Sequence, residues 1–322
     1  MNHPIIELKR LTKRYRDFKA VNELDLTVTK GEIFGLLGPN GAGKTTTILM
    51  MMGLTEPSSG TAHICGFNAT KDPISVKRLV GYMPDSVGFY DTMTALENLM
   101  YVGELNGIPR EEVEERALAT MELVGLYGDA IHKKTAAYSR GMKQRLGLAE
   151  VLIKDPEVII LDEPTLGIDP SGVKEFLTLI VRLSREKGLT VLLSSHHLHQ
   201  VQQVCDRVGI FVKGELLAEG NIDTLSNRLF AEKSYEIEIG LVNGIDLPWK
   251  DETEMLQMET VQRVTVEDRI IGITSSADVT PDIVRFFVQK GYDVNSVHKK
   301  EYGLEEIYEK YFENNITENI DQ

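Results

Sequence analysis

One glycine-rich segment of the chain fits the pattern G-x-x-x-x-G-K-[ST], which is typical of loops that bind the phosphates of a nucleotide. Glycines in such a loop let consecutive backbone N–H groups turn inward and form a concave anion site. The lysine is predicted to reach the β- and γ-phosphates, and the threonine after it to ligate Mg²⁺. The segment consists of Gly38, Pro39, Asn40, Gly41, Ala42, Gly43, Lys44, Thr45 and Thr46.

The residues on both sides of this phosphate loop fit a strand and a helix. Residues 33–37 are an apolar run that predicts a buried strand, and residues 46–52 predict a helix that begins at the loop. The N-terminus of a helix attracts phosphate because its backbone N–H groups and its dipole face the anion. This context disfavours a glycine-rich turn that matches the pattern by chance, and it predicts an α/β fold.

The composition is that of an ordinary globular protein, because 42% of the 322 residues are hydrophobic and 26% are charged. The length predicts two domains, or one large domain with an appendage. The sequence has no apolar run of about 18 residues, so no transmembrane helix is predicted. The first ten residues lack the apolar core of a signal peptide. Cys65 and Cys205 have no metal-site spacing and are expected to be reduced cytosolic thiols.

The negative charge is concentrated in the last third of the chain. The net charge is −14, of which residues 221–322, with 10 Lys/Arg and 21 Asp/Glu, carry −11. Such an acidic balance argues against a general nucleic-acid surface and is typical of a solvated face. The shift in composition predicts a domain boundary there, with one domain at residues 1–220 and a second at 221–322.

The hydrophobic pattern predicts a parallel sheet in the first domain. Residues 158–161 and 190–195 are short apolar runs typical of buried strands, and residues 171–187 between them have helical periodicity. A strand–helix–strand connection of this kind joins parallel neighbours. Residues 71–135 are predicted to be mostly helical, with one helix capped by Thr94.

The pattern changes after residue 234. Residues 234–239 and 261–274 alternate like antiparallel strands, and residues 281–289 and 304–313 are predicted to be helices. The second domain is therefore predicted to be a small α+β unit.

Two carboxylates follow directly after the apolar run at residues 158–161. In a phosphate-loop fold the C-terminal ends of the strands face the nucleotide. Asp162 is therefore predicted to hold Mg²⁺, directly or through water. Glu163 is predicted to polarise an attacking water as a general base. An acidic pair that caps a helix before Pro164 is the alternative, and the phosphate loop makes it the weaker one.

Ser139 and Gly141 precede a helical run at residues 146–153 and form a second possible anion site. Taken by themselves, these residues fit an ordinary helix N-cap followed by a basic first turn better than a ligand site.

The order of motifs along residues 5–220 resembles the ATP-binding subunit of an ATP-binding-cassette (ABC) transporter. The resemblance implies a mixed-sheet core, an antiparallel β subdomain and a helical subdomain at about residues 85–155. Four motifs follow the phosphate loop. The family signature, usually written LSGGQ, appears here as Tyr138-Ser139-Arg140-Gly141-Met142. After it come the acidic strand end Leu161-Asp162-Glu163-Pro164-Thr165, the D-loop Leu166-Gly167-Ile168-Asp169 and the switch histidine in Ser194-Ser195-His196.

This resemblance implies further roles for single residues. Tyr15 would stack on the adenine of ATP, and His196 would hydrogen-bond the γ-phosphate. Ser139 and Gly141 of a second ATPase subunit would close the site, and Asp169 would couple the two sites of the dimer. ATP and Mg²⁺ are the implied ligands. Transmembrane permease subunits are the implied partners, and the chain would bind them at the cytoplasmic face of the cell membrane.

The sequence departs from the family pattern at two positions. Asp85 stands where the family carries a glutamine that contacts Mg²⁺, and export-type relatives often carry a carboxylate there. Arg140 replaces a glycine of the signature and adds a charge near the expected γ-phosphate. The C-terminal segment resembles the accessory domain of export-type ATPases, and residues 303–308 resemble its closing helix. Export is therefore the expected direction of transport.

Two other classes of protein share part of this pattern with a transporter ATPase. A non-transport ABC ATPase, of the translation or DNA-maintenance type, is the main alternative, although the chain has one cassette and no room for an inserted coiled coil. A kinase or GTPase would share the phosphate loop but leaves the signature unexplained, and the guanine-selecting motif N-K-x-D does not occur.

Overall fold

The structure is a computed structural model, and it describes residues 4–230, 235–243 and 249–299 together with 304, 306–308 and 310. The chain divides into two compact units, Met1–Leu225 and Ser226–Gln322, which are described separately. The strands of the first unit are β1 Ile6–Tyr15, β2 Phe18–Val28, β3 Ile33–Leu37, β4 Ser59–Ile64, β5 Phe67–Asn68, β6 Val80–Met83, β7 Val158–Asp162, β8 Thr190–Ser195, β9 Arg207–Val212 and β10 Glu215–Gly220.

Eight α-helices and one short 3₁₀ helix, Thr135–Ala137, occur among the described residues of the first unit. A ninth α-helix, α9 Ile222–Phe230, crosses the division between the units. The eight are α1 Lys44–Met51, α2 Pro73–Leu79, α3 Ala95–Leu105, α4 Arg110–Leu123, α5 Asp129–His132, α6 Arg140–Leu152, α7 Pro170–Lys187 and α8 Leu198–Gln202.

A six-stranded mixed sheet forms the centre of the first unit, in the order β10-β9-β3-β8-β7-β6. Its strands from β9 to β6 pair in parallel, and β10 pairs antiparallel with β9. All residues of β3, β7 and β8 are buried, as the apolar runs predicted for a sheet covered on both faces. The C-terminal ends of β3 and β7 therefore bring the phosphate loop and Asp162 to one edge of the sheet.

A second, antiparallel sheet has the order β2-β1-β4-β5. Its apolar side chains share one core with the central sheet and α1, and that core includes Leu8, Phe34, Ile48 and Phe211. Each large side chain buried in this way stabilises the fold by roughly 1.5–3 kcal/mol. This packing places β2 and β4 against α1.

Helices α3, α4 and α6 pack against one another between β6 and β7 in the chain. Helix α3 begins with the predicted cap, in which Thr94 accepts a hydrogen bond from the Glu97 amide and the Glu97 carboxylate accepts one from the Thr94 amide. The mostly helical prediction for residues 71–135 is wrong at β6, because Val80–Met83 is a strand that pairs with β7.

The second unit contains an antiparallel sheet and two helices. Its elements are β11 Tyr235–Leu241, α10 Glu252–Leu256, β12 Val261–Glu267, β13 Ile270–Ser275, α11 Thr280–Gln289 and β14 Val294–Lys299. The four strands have the order β12-β13-β11-β14, and the two helices connect them in a βαββαβ arrangement. The predicted strands and the first predicted helix are present. In the segment predicted as a helix at residues 304–313, and as a closing helix at 303–308, the described residues 304, 306–308 and 310 are helical. The other residues of both predictions lie outside the described residues.

The α/β fold with a phosphate-loop core, an antiparallel β sheet and a helical part is thus confirmed. None of the helices within the described residues is long and apolar enough to cross a membrane.

Candidate functional site

A cleft of about 350 Å³ lies where β3, β7 and the antiparallel sheet meet. It brings together most of the residues that the sequence predicts for nucleotide binding. Its lining residues are Tyr15, Phe18, Ala20, Asn40, Gly41, Ala42, Gly43, Lys44, Thr45, Thr46, Asp85, Asp162 and Glu163.

The phosphate loop requires glycine at two positions that line this cleft. Gly41 has φ of 81° and Gly43 has φ of 106°, in the region that L side chains rarely adopt. A Cβ atom on Gly43 would also lie 2.3 Å from the Ala20 carbonyl oxygen. Gly43 is the N-cap of α1 and offers no side chain to the first amides of that helix. These amides, which cannot be satisfied within the helix, are therefore available to an anion.

Lys44 is buried, and its ammonium group lies inside the loop. Its Nζ atom donates to the Gly38 carbonyl at 2.7 Å and to the Pro39 carbonyl at 3.2 Å. Burial lowers the pKa of Lys44 from its usual value, while the nearby carboxylates of Glu163 and Asp162 oppose this effect. The loop thus holds one cation at its centre, with two carboxylates next to it.

Asp162 ends β7 and is almost fully buried. Its Oδ2 atom accepts a hydrogen bond from the Thr45 hydroxyl at 2.9 Å, and its Oδ1 atom accepts one from the Ser194 hydroxyl. The hydroxyl and the carboxylate that the sequence predicts as metal ligands are therefore direct neighbours. Within the described residues, no group of three or more His, Cys, Asp or Glu side chains could hold a metal ion alone. A magnesium ion here would need phosphate or water oxygens in addition, as is usual for Mg²⁺.

Glu163 occupies a conformation that is rare for a residue with a side chain, with φ of 49°. Its backbone amide donates to the Ser194 carbonyl at 3.1 Å, which holds the turn against β8. One carboxylate oxygen lies 3.6 Å from Lys44 Nζ, and the other lies 2.9 Å from His196 Nδ1.

The Glu163 carboxylate is buried, yet neither oxygen has a partner in hydrogen-bonding geometry within the described part of the chain. The same holds for His196 Nδ1, so the two groups lie close together without an aligned hydrogen bond. Buried acceptors without partners are costly in a finished fold and are frequent at ligand sites. This pair is suited to accept a proton from a water in the cleft.

Tyr15 lies at the mouth of the cleft with half of its surface exposed. Lys13 Nζ is 5.1 Å from the centroid of its ring. The ring is thus next to a cation, and its remaining exposed surface is where the sequence predicts that an adenine stacks.

Replacing Tyr15 with alanine should weaken ATP binding about tenfold, because stacking on an aromatic ring contributes roughly 1–3 kcal/mol. Tyr15→Phe is the matched control, since it keeps the ring and should bind within about twofold of the wild type. Titration with a fluorescent ATP analogue measures both affinities. Equal binding by the alanine variant would contradict the stacking role.

Several predicted residues do not line the cleft. Ser139 is the N-cap of α6, where its hydroxyl accepts a hydrogen bond from the Met142 amide, and Gly141 follows in the first turn. Asp169 is likewise the N-cap of α7 and accepts from the Gly172 amide at 3.0 Å. All three are at least partly accessible to solvent. Within the described chain they stand apart from the phosphate loop.

Asp85 is exposed and lines the cleft close to the end of β6. The sequence reasoning assigned no role to Ser194, which fixes both Asp162 and Glu163. Phe18 and Ala20 in the cleft wall were missed as well. A serine at the end of an apolar strand next to the predicted acidic strand was the available signal for Ser194, whereas Phe18 and Ala20 gave none.

A phosphate loop at the end of β3, a carboxylate at the end of β7 and a histidine after β8 define a phosphate-loop nucleotide-binding protein. The comparisons with known proteins identify the family. A family model described as ABC transporter matches residues 21–166. The bacitracin transport ATP-binding protein BcrA of Bacillus licheniformis is 38% identical over 306 residues, which cover 95% of this chain and 96% of that protein.

Another relative is the linearmycin resistance ATP-binding protein LnrL of Bacillus subtilis (strain 168), which is 37% identical over 85% of this chain and 86% of its own length. Among solved structures, the dimeric structure of a bacterial ABC transporter cassette is similar with a TM-score of 0.61 and 25% identity, over 67% of this chain and 98% of that one. The chain belongs to the ABC transporter family as an ATP-binding subunit, and cassettes of this family bind ATP.

Proposed function

We propose that the chain hydrolyses ATP and that two copies of the cassette close around the nucleotide to drive export through separate membrane subunits. The observation that carries this proposal is the buried Glu163 carboxylate, which lies between Lys44 and His196 without a hydrogen-bond partner in the described structure. A general base needs an acceptor that no protein donor already occupies, held in a fixed position. The Ser194 hydroxyl provides the fixed position, because it accepts a hydrogen bond from the Glu163 amide and donates one to the Asp162 carboxylate.

In this proposal the phosphate loop positions the triphosphate. The α1 amides and the Lys44 ammonium face the phosphate oxygens, and His196 orients the water that Glu163 deprotonates. When bound, Mg²⁺ would neutralise charge on the β- and γ-phosphates. Thr45 and Asp162 would hold the ion, and Asp85 would contribute through water. The adjacency of the Thr45 and Asp162 oxygens supports this assignment.

A second copy is needed because one chain offers only part of the site. Ser139, Gly141 and Asp169 are accessible but do not line the cleft of their own chain. In the proposed dimer they face the nucleotide and the D-loop of the partner, and a two-fold axis makes two equal sites. The dimeric cassette to which the chain is similar supports this arrangement.

The relatives support membrane partners and export as the direction of transport. One relative is described as a bacitracin transport protein and another as a linearmycin resistance protein, which supports export of a compound harmful to the cell. The chain would bind its permease subunits peripherally at the cytoplasmic face. We propose domains at 1–220 and 221–322, with a helical subdomain at about 85–155 and the acidic C-terminal domain as an accessory unit.

Purification from detergent-solubilised membranes of the natural host tests this function. We expect a tagged chain to recover a polytopic membrane protein, and the complex to hydrolyse ATP in a Mg²⁺-dependent manner. Chelation of Mg²⁺ should abolish turnover, because the phosphate charge would be left without its counterion. Recovery of ribosomes or DNA in place of a membrane protein would overturn the transport assignment in favour of a non-transport ABC ATPase.

A further inference from the structure

Arg140 connects three separate segments of the first unit. It is the first residue of α6, and its Nε atom donates to the Leu166 carbonyl at 3.2 Å. One terminal nitrogen, Nη2, donates to the Asp85 carbonyl at 3.3 Å. The side chain passes close to Gly167, where an added Cβ would lie 3.4 Å from Arg140 Nε. The guanidinium group therefore bridges the segment after β6 and the segment after β7.

Both bridged segments belong to the candidate site. Asp85 lines the nucleotide cleft. The Leu166 amide donates to the Glu163 carbonyl at 3.1 Å, so Leu166 closes the turn that holds the proposed base. A continuous series of hydrogen bonds thus runs from Glu163 through Leu166 and Arg140 to Asp85.

We propose that Arg140 is a positioning residue that makes Asp85, the Glu163 turn and the signature helix move together. Ser139 and Gly141 lie on either side of Arg140, on the surface that would face a partner's nucleotide. The occupancy of one cleft would in this way set the position of the residues that close the other. This inference rests on the proposed function, because it assigns Arg140 a task within that composite site.

The planar guanidinium is what suits Arg140 to this task. Its N–H donors form a fixed fork, so two carbonyls in different directions are held at once. A lysine keeps the charge but carries a compact ammonium group on a flexible stem. A glycine, as in the usual signature, would make neither contact.

The kinetic test compares Arg140→Leu and Arg140→Lys with the wild type in the full chain purified with its membrane partner. Both variants should lower kcat about tenfold, since a small misplacement of catalytic groups is costly. The ATP KM and the affinity for a fluorescent ATP analogue should stay within about twofold, because Arg140 does not line the cleft. The thermal midpoint should change little, since both contacts are exposed.

Lys143→Leu is the matched control for these variants. Lys143 is in the first turn of the same helix, but its ion pair is with Asp91, at 3.7 Å, and not with the residues bridged by Arg140. We expect its kcat to stay within about twofold of the wild type. Recovery of activity in Arg140→Lys would overturn the inference and indicate that the charge acts on the partner's phosphate. A joint loss of ATP affinity and thermal stability would also overturn it and indicate a structural role.

Hydrogen exchange provides a readout that does not depend on turnover. In Arg140→Leu, amides of residues 85–88 and 165–169 should exchange several-fold faster together, while those of β7 and β8 stay protected. Unchanged amide exchange in either segment would contradict the inference that Arg140 connects the two segments. A wild type without ATPase activity would contradict the proposed function, whereas the exchange experiment would still decide the contacts of Arg140.

Discussion

Glu163→Gln is expected to lower the rate of ATP hydrolysis at least about 100-fold while ATP binding persists, because a general base contributes roughly 10²–10⁴-fold. The amide has the size of the carboxylate but cannot take a proton from water. The turn itself should be retained, since it is held by backbone contacts of Glu163 with Ser194 and Leu166. ATP should therefore accumulate in the closed site.

A variant in which ATP hydrolysis is blocked is expected to form a stable dimer. If hydrolysis allows the two cassettes to separate, a variant that binds ATP without cleaving it remains closed. Size-exclusion chromatography of the variant with Mg²⁺ and ATP should show a dimer, and ADP should leave a monomer. The chain thus offers a physical readout of the composite site that is separate from the rate.

Glu157→Gln is the matched control for this experiment. Glu157 lies just before the other end of β7, where it forms an exposed ion pair with Lys30 at 3.0 Å. Exposed pairs of this kind contribute little, so activity should stay within about twofold of the wild type. Undiminished ATP hydrolysis in Glu163→Gln would show that Glu163 is not the general base. Loss of the ATP-dependent dimer would instead contradict the closed composite site.

The parts of the fold that could be predicted from the sequence are those determined by short stretches of chain. The phosphate loop, the apolar strand β7 and the helix α7, which ends at Gly188 in the left-handed conformation, each carry their signal locally. The same is true of the cap at Thr94. These elements place the loop and Asp162 at one edge of the sheet.

Strand β6 could not be predicted because its stability comes from its neighbour. It has four residues, Val80–Met83, and lies between helices, so its local pattern is too short to separate a strand from a helix. Pairing with β7 provides its backbone hydrogen bonds, and that partner is far away in sequence. Tertiary contact decides the structure here, as it does for many short apolar segments.

The same reason limits what the sequence reveals of the site. The pattern identifies Glu163 and His196 but gives no distance between them, and their contact depends on β7 and β8 being neighbours. Arg140 was recognised only as a departure from the signature. Its contacts with Asp85 and Leu166 cross 55 and 26 residues of chain, and only the fold brings these residues together.

Lys44→Met is expected to weaken ATP binding at least about tenfold, because hydrogen bonds to charged groups contribute roughly 1.5–3 kcal/mol. Turnover at saturating ATP should fall by a further factor of about 10²–10³, since one preorganised cation facing the phosphates is lost. The change also removes the cation next to Glu163 and Asp162. Two neighbouring carboxylates would then face the phosphates, and their repulsion acts in the same direction as the lost bond.

Lys30→Met provides the matched control, since Lys30 is exposed and its partner is Glu157, outside the cleft. It should bind and hydrolyse ATP within about twofold of the wild type. Calorimetric titration with ATP and Mg²⁺ measures binding, and phosphate release measures turnover. If Lys44→Met bound ATP as tightly as the wild type, the backbone amides of the loop would suffice for the phosphates. Lys44 would then serve chiefly to hold the Gly38 and Pro39 carbonyls, which its ammonium group contacts in this structure.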